Sequence, residues 1–396
     1  MRRWTLVGLL ILTALPCPAR SCTLCLANLR QMPTLRLEAN QSYAQIVMYG
    51  RILDSALDGR VLGKGTSKFR IDAIFKKNPK LPKAFQFKVG DVVALNRYIP
   101  VANKKDPPHY LVFCDVLENS LDPYRGTPVV SEKAAEYLQR VLSFKKNERF
   151  KMLRFFFDRL ESDDPQLAQD AFLEFAKASD AEVGLIATKL NEEDKGKLRT
   201  WLTDEKTPPE RIGLYCFLLG ATGGVKDAKF LRSMLDKPDE RARKAFDGIL
   251  SGYIQMRPDE GWKLVHQSLG SGKVSLPLRL AIHRVLKFYH GWQPKKSKPK
   301  VLQALKLMIT QGELADLAIE DLRQWEWWEL TDEVLKRFGS KGFDAPIIKR
   351  AIIRYALTCD NSTSQQFIKS LSASEREIVA EVKEGLQFEK SSKSNR

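Results

Sequence analysis

Histidine is scarce in this chain of 396 residues, with four copies at positions 109, 266, 283 and 290, and that scarcity removes most familiar catalytic centres. No His-Glu-x-x-His pair and no Gly-x-Ser-x-Gly turn occurs, which excludes the common zinc-protease and hydrolase signatures. His283 and His290 are seven residues apart and share a helix face, but no acid or thiol is spaced to complete a zinc site. A phosphate-binding loop is missing too: Gly59 to Gly63-Lys64 is one residue short, and Gly270-Ser271-Gly272-Lys273 lacks the upstream glycine. Cys22-Thr23-Leu24-Cys25 has the spacing of a redox motif, yet no βαβ pattern surrounds it and no histidine follows Cys25 for haem attachment. Long apolar runs are absent beyond Trp4 to Leu15, and that run is shorter than the roughly 20 residues of a membrane span. These absences leave no catalytic residue, cofactor or metal ligand to nominate.

What the N-terminus does contain is Arg2 and Arg3, the apolar run, and the small-residue stretch Pro16 to Ser21. Residues 1–21 therefore read as a secretory signal, and the chain is expected to be exported to a periplasm, cell envelope or extracellular space. Cleavage after Ala19 or after Ser21 both fit, the second leaving Cys22 as the first residue. Ala14 and Ala19 stand three residues before Cys17 and Cys22, where a lipoprotein signal places leucine, which argues against a lipid anchor. Loss of Cys17 leaves Cys22, Cys25, Cys114, Cys216 and Cys359, an odd number in an oxidising compartment. Cys216 and Cys359 fall on helical patterns and read as small buried residues. Cys22, Cys25 and Cys114 share the first part of the chain and are the disulfide candidates.

Acidic residues are in deficit: the net charge is +17, and removal of the signal takes away only Arg2, Arg3 and Arg20. Residues 22 to 130 hold 16 Lys and Arg against 9 Asp and Glu, which makes this stretch the more basic one per residue. Such a balance points to anionic partners, among them cell-wall polymer, lipid headgroups or an acidic protein. Nucleic acid is not expected for an exported chain.

From 42 to 121 the apolar period is two. Phe69, Ile71, Ala73 and Phe75 alternate with Lys68, Arg70, Asp72 and Ile74, and Phe85, Phe87 and Val89 alternate with Gln86 and Lys88. Further strands are expected over Ala44 to Leu53, Val92 to Tyr98 and Tyr110 to Val116, with breaks at Asp58-Gly59, Asn78-Pro79, Gly90-Asp91 and Asp106-Pro107-Pro108. Five or six short strands without room for crossover helices imply a small antiparallel β-barrel. The cysteine-rich start, Tyr49-Gly50-Arg51-Ile52, the strand Ile71 to Phe75 followed by Lys76-Lys77, Val89 to Leu95 and Tyr110-Leu111-Val112-Phe113-Cys114 together resemble the netrin-like family, to which the tissue inhibitors of metalloproteinases belong. That resemblance covers about 100 residues, 22–121, and implies an OB-type fold. It also implies a disulfide from Cys22 or Cys25 to Cys114, and protease inhibition through zinc chelation by an N-terminal Cys22. The stretch 122–130 reads as a linker, because Pro123, Gly126 and Pro128 oppose a regular element.

Helical periodicity takes over from Ser131, with helices expected over Ala134 to Leu142, Phe150 to Leu160 and Gln166 to Ala178. Pro209-Glu210-Arg211-Ile212-Gly213-Leu214-Tyr215-Cys216 returns as Pro277-Leu278-Arg279-Leu280-Ala281-Ile282-His283-Arg284, and more weakly from Ile347 to Arg354. The offsets are 68 and 70 residues, about two units of the 34 to 35 residues usual for helix pairs. Asp170-Ala171-Phe172 recurs as Lys244-Ala245-Phe246 after 74. Residues 131–388 thus resemble a HEAT-type α-solenoid of about six units, whose packing motifs specify architecture and not ligand. Pro294 to Lys300 is expected to be an inter-helix loop, and 389–396 a solvated tail. Trp325, Trp327 and Trp328 read as packing in preference to a sugar-stacking platform, and Phe155 to Phe157 as a shoulder where the barrel meets the helices. The combined expectation is a β-barrel plus all-α solenoid acting as a non-enzymatic binding or scaffold protein with protein or anionic-polymer partners. The alternatives are the Cys22-dependent inhibitor and an enzyme without a recognisable motif, which would need acids meeting His266, His283 or His290.

Overall fold

Alternating side chains along two strands enter two different apolar cores. In the computed structural model, which describes residues 29, 31–58, 64–101, 103–117, 119–129 and 132–394, β1 (Ile46–Leu57) sends Ile46, Met48 and Ile52 one way and Val47 and Tyr49 the other. Strand β4 (His109–Leu117) repeats this, with Tyr110, Val112 and Cys114 opposite Leu111 and Phe113. This is the period-two rule of a strand buried on both faces. With β2 (Gly65–Lys77), β3 (Val92–Leu95) and β5 (Ser120–Pro128), the hydrogen-bonded order is β1-β2-β3-β5-β4, and β4 pairs back to β1. All pairs are antiparallel except β3 with β5, a parallel seam at Leu95 and Leu121. Phe69, Ile71, Phe85 and Leu95 join the inward set, whereas Val47, Tyr49, Leu111 and Phe113 join Ala134, Tyr137 and Phe156 of the helices. The outer face of the sheet therefore shares its core with the helices, while the inward set forms a core of its own.

Three expectations for the first part change. The alternation through β2 does not keep one phase: Tyr49 pairs with Ala73 and Gly50 with Ile71, so the register skips Asp72. This bulge turns Ala73 and Phe75 toward the helices and Ile74 inward. Residues 85–89 are not a strand; a single 3-10 turn, Lys83–Phe85, drops Phe85 into the inner core, with Phe87 edge-on at 6.0 Å. Pro79 and Pro82 lie just before, and Gly90 turns the chain at φ 94°, so the two aromatics cover the sheet interior from a loop. The stretch read as a linker is strand β5. A turn with Asn119 at φ 60° reverses the chain, and the register shift between Phe113 and Cys114, opposite Pro123, accommodates the proline.

The N-terminal helix α1 (Leu35–Asn40) precedes the sheet, and helices α2 (Lys133–Ser143), α3 (Arg149–Phe157) and α4 (Pro165–Lys177) follow it close to their expected bounds. After α5 (Asp180–Ala187) and α6 (Glu192–Thr203), the three repeat copies lie on α7 (Pro209–Gly220), α12 (Leu276–Trp292) and α16 (Pro346–Thr358). Each has proline in its first turn, where the missing N–H has no partner to lose. Between the first two copies lie α8 (Val225–Asp236), α9 (Glu240–Lys244), α10 (Phe246–Met256) and α11 (Pro258–Gly270). Gly213, Ala281 and Ala351 are all buried. The triplet Lys244-Ala245-Phe246 straddles the break between α9 and α10, unlike Asp170-Ala171-Phe172 inside α4. Helix α13 (Pro294–Thr310) begins where a loop was expected: proline is tolerated at the first helical position, and Ser297 Oγ bonds the carbonyls of Tyr289 and Gln293 at 3.1 and 2.9 Å.

Helices α14 (Ala315–Trp325), α15 (Thr331–Leu335), α17 (Ser362–Ser370) and α18 (Ala373–Ser394) complete the chain. The expected tail is helical as far as Ser394, and Glu389 is held 3.0 Å from Arg323. Most helices pack on close neighbours in sequence, α7 on α10, α10 on α12, α14 on α16 and α16 on α18. A contact of longer range departs from this pattern. Helix α5 meets the end of α12, where Gly184 leaves room for the Trp292 ring and Gly291 lies against Asp180. Phe217, Phe288 and Trp292 cluster at 4.5 to 5.7 Å, so the face shared by α5, α7 and α12 is filled.

Candidate binding groove

The candidate residues nominated from sequence divide between packed interiors and the undescribed start. Cys22 and Cys25 lie outside the described residues. Cys114 is a free thiol among the described residues, fully buried inside the sheet, where burial pushes its pKa far up. Cys216 and Cys359 are buried as expected. His283 Nε2 lies 2.6 Å from Asp321 and Lys287 Nζ 3.3 Å from the same carboxyl. Burial opposes the charge on Asp321, but these two partners outweigh it and hold the carboxyl below its usual range. His290 stacks on Trp325 at 3.9 Å, and Lys298 lies over Trp327. Both tryptophans are buried, and half-buried Trp328 packs edge-on against Tyr355 at 5.1 Å, so the aromatic trio is packing. Among the described residues no group of three or more His, Cys, Asp or Glu is placed to hold a metal, and no helix is long and apolar enough to cross a membrane.

A polar joint ties the N-terminal segment to α4. Asp170 and Glu174, one turn apart, are both buried. Leu35 N–H donates to Asp170 at 2.7 Å and Tyr137 Oη at 2.7 Å, while Thr34 Oγ1 and Arg36 donate to Glu174 at 2.7 and 2.8 Å. Arg149 approaches Glu174 at 3.7 Å and Glu182 at 2.9 Å. Burial pushes the Asp170 carboxyl up to about 6 against the pull of these two bonds, and nearby Glu174 adds to the rise. The joint fixes the N-terminal segment against α4.

The open feature is a groove of about 680 Å³ at the start of the second repeat copy. The last turn of α8 supplies Leu235, α10 opens with Phe246, and α12 brings Leu278, Leu280 and Ala281. Leu276, 39% exposed, stands at the lip. The rim is cationic. Arg243 and Lys244 are exposed on α9, and half-buried Arg284 rises from α12. Lys244 pairs with Glu240. Arg243 donates to the Pro238 carbonyl at 2.9 Å and has no ionic partner among the described residues. Arg284 Nε is held by Asp247, which is buried and also accepts from Gly248 N–H at 3.0 Å. The guanidinium is thereby fixed in orientation, its charge paired with Asp247 through Nε.

These features are not demanded by the repeat. At the 68-residue offset Glu210 stands where the groove has Leu278, and the fully buried Cys216 where it has Arg284. Sequence reasoning quoted all four residues as repeat positions and missed the groove. Its signal was present as the departure of one copy from the other. Comparisons with protein-family models, curated proteins and solved structures find no match to this chain.

Proposed function

We propose that the protein is an exported, non-enzymatic binding or scaffold protein, in which an OB-type, netrin-like barrel is fused to a HEAT-type α-solenoid. The observation that carries the reading is the groove at the second repeat copy: half-buried Leu278 and Arg284 line it at positions where the preceding copy has an acid and a buried thiol. Stacked helix pairs commonly place binding surfaces between repeats, and an exposed apolar patch with a polar rim marks an interaction site. The basic composition of residues 22–130 adds an anionic cell-envelope polymer or acidic protein as the partner chemistry.

The test is site-specific photo-crosslinking in intact cells with the full chain, using a benzophenone side chain at Leu276 and, as the control, at Leu185, which is 49% exposed on α5. A discrete adduct from position 276 and none from 185 is the expected result. Equal, diffuse labelling from both would refute a dedicated surface. Export is tested by fractionation and by N-terminal sequencing, which should find a start after Ala19 or Ser21.

A further inference from the structure

We infer that the groove at the second repeat copy binds a single-chain amphiphile with an anionic head, a long-chain carboxylate being the simplest member of the class. This goes beyond the scaffold reading and does not require it. The size fits: about 680 Å³ falls within the roughly 300–1,000 Å³ of small-ligand sites. The chemistry is segregated in the way an amphiphile demands. Leu235, Phe246, Leu278 and Leu280 form an apolar lining, whereas Arg243, Lys244 and Arg284 meet the one acid of the lining, Glu240. Glu240 is engaged by Lys244 and Asp247 by Arg284, so the net positive charge of the rim rests on Arg243.

Arg284 is the built part of the site. Its Nε is taken by buried Asp247, which costs nothing further in side-chain entropy when a carboxylate arrives at the remaining N–H groups, and planar guanidinium suits a two-oxygen head. A hydrocarbon tail laid along Leu278 and Leu280 removes apolar surface from water at roughly 0.8 kcal/mol per methylene. A cationic amphiphile of the same tail gains the second contribution and loses the first. A bilayer surface offers its headgroups and keeps its tails, so it leaves the apolar lining unused.

The experiment is equilibrium dialysis of the full chain against dodecanoate below its micellar range, with dodecyltrimethylammonium and acetate as matched probes. One dodecanoate per chain is expected, with acetate unbound and the ammonium weaker by at least about tenfold. Leu278→Glu installs the residue of the first copy, and Arg243→Glu reverses an exposed rim charge. Each is expected to weaken dodecanoate at least about tenfold with unchanged circular dichroism. Should Leu278→Glu fail to fold, Arg243→Glu decides alone, since its side chain supports no core contact. Equal affinity for both head groups, several equivalents bound, or affinity unchanged by either folded variant would overturn the proposal. So would sedimentation with anionic phospholipid vesicles under conditions in which dodecanoate stays unbound. None of these results bears on the crosslinking at Leu276, so the two readings fail separately.

Discussion

Helices α7 and α10 touch backbone to backbone, and that contact makes a substitution with an inverted sign. Glycine inside a helix is normally about 1 kcal/mol worse than alanine, so Gly→Ala at an open position stabilises. At Gly252 an added Cβ would run into the Cys216 carbonyl oxygen first, with the carbonyl carbon at 2.8 Å and Leu231 Cδ1 at 3.1 Å. Carbon atoms prefer about 3.5–4.0 Å and the carbonyl oxygen lies closer still, so the two helices must part by about an ångström along rigid backbone. Overpacking of this kind costs roughly 1–3 kcal/mol. Subtracting the helix-propensity gain leaves Gly252→Ala destabilising by up to about 2 kcal/mol. Gly213, in the same helix pair, behaves differently. Its Cβ would meet the Gly248 Cα at 3.6 Å, ordinary contact, so Gly213→Ala should be neutral or stabilising by up to about 1 kcal/mol. Gly196 on α6 has nothing within 4 Å and serves as the open control. Urea unfolding followed by circular dichroism reads all three. If Gly252→Ala unfolds at or above the parent midpoint while Gly196→Ala shows the usual gain, the close approach of α7 and α10 is wrong.

Asp170 gives a pH dependence of definite sign. Its folded pKa is raised to about 6 against about 3.9 unfolded, so its charged form opposes folding, and the penalty grows as pH rises through 6 to about 3 kcal/mol. Relative to Asp170→Asn, the parent should gain stability between pH 7 and pH 5; a pH-independent difference would refute the assignment. His283→Ala strands a buried Asp321 with Lys287 alone and should cost about 3–5 kcal/mol, read as a shift in urea midpoint, with His283→Gln recovering part through its amide N–H. Because the Asp321 pKa is lowered, this contribution should be present above about pH 4 and fade below it as the carboxyl protonates. Iodoacetamide at pH 8 should leave Cys114 and Cys216 unmodified in the folded protein and label both in urea, since burial holds both thiols protonated. A Cys114 peptide joined to Cys22 or Cys25 in a non-reducing digest would instead establish the netrin-type staple.

The sequence alone determined where helices and strands begin and end wherever the apolar period was long and its punctuation ordinary. Proline in the first turn of α7, α12 and α16, and aliphatic residues at steps of three and four, suffice to place those helices, because a helix buries one stripe whatever it packs against. Alternation likewise placed β1 and β4. Tertiary structure decided the phase of β2 after Asp72, the loop that carries Phe85 and Phe87 inward, and the strand made from Pro123 to Pro128, because a bulge or a buried loop is fixed by the partner strand and not by local preference. It also decided the groove. Leu278 and Arg284 are ordinary helix residues in sequence, and they line a groove only because α8, α9 and α10 stop short of covering the start of α12.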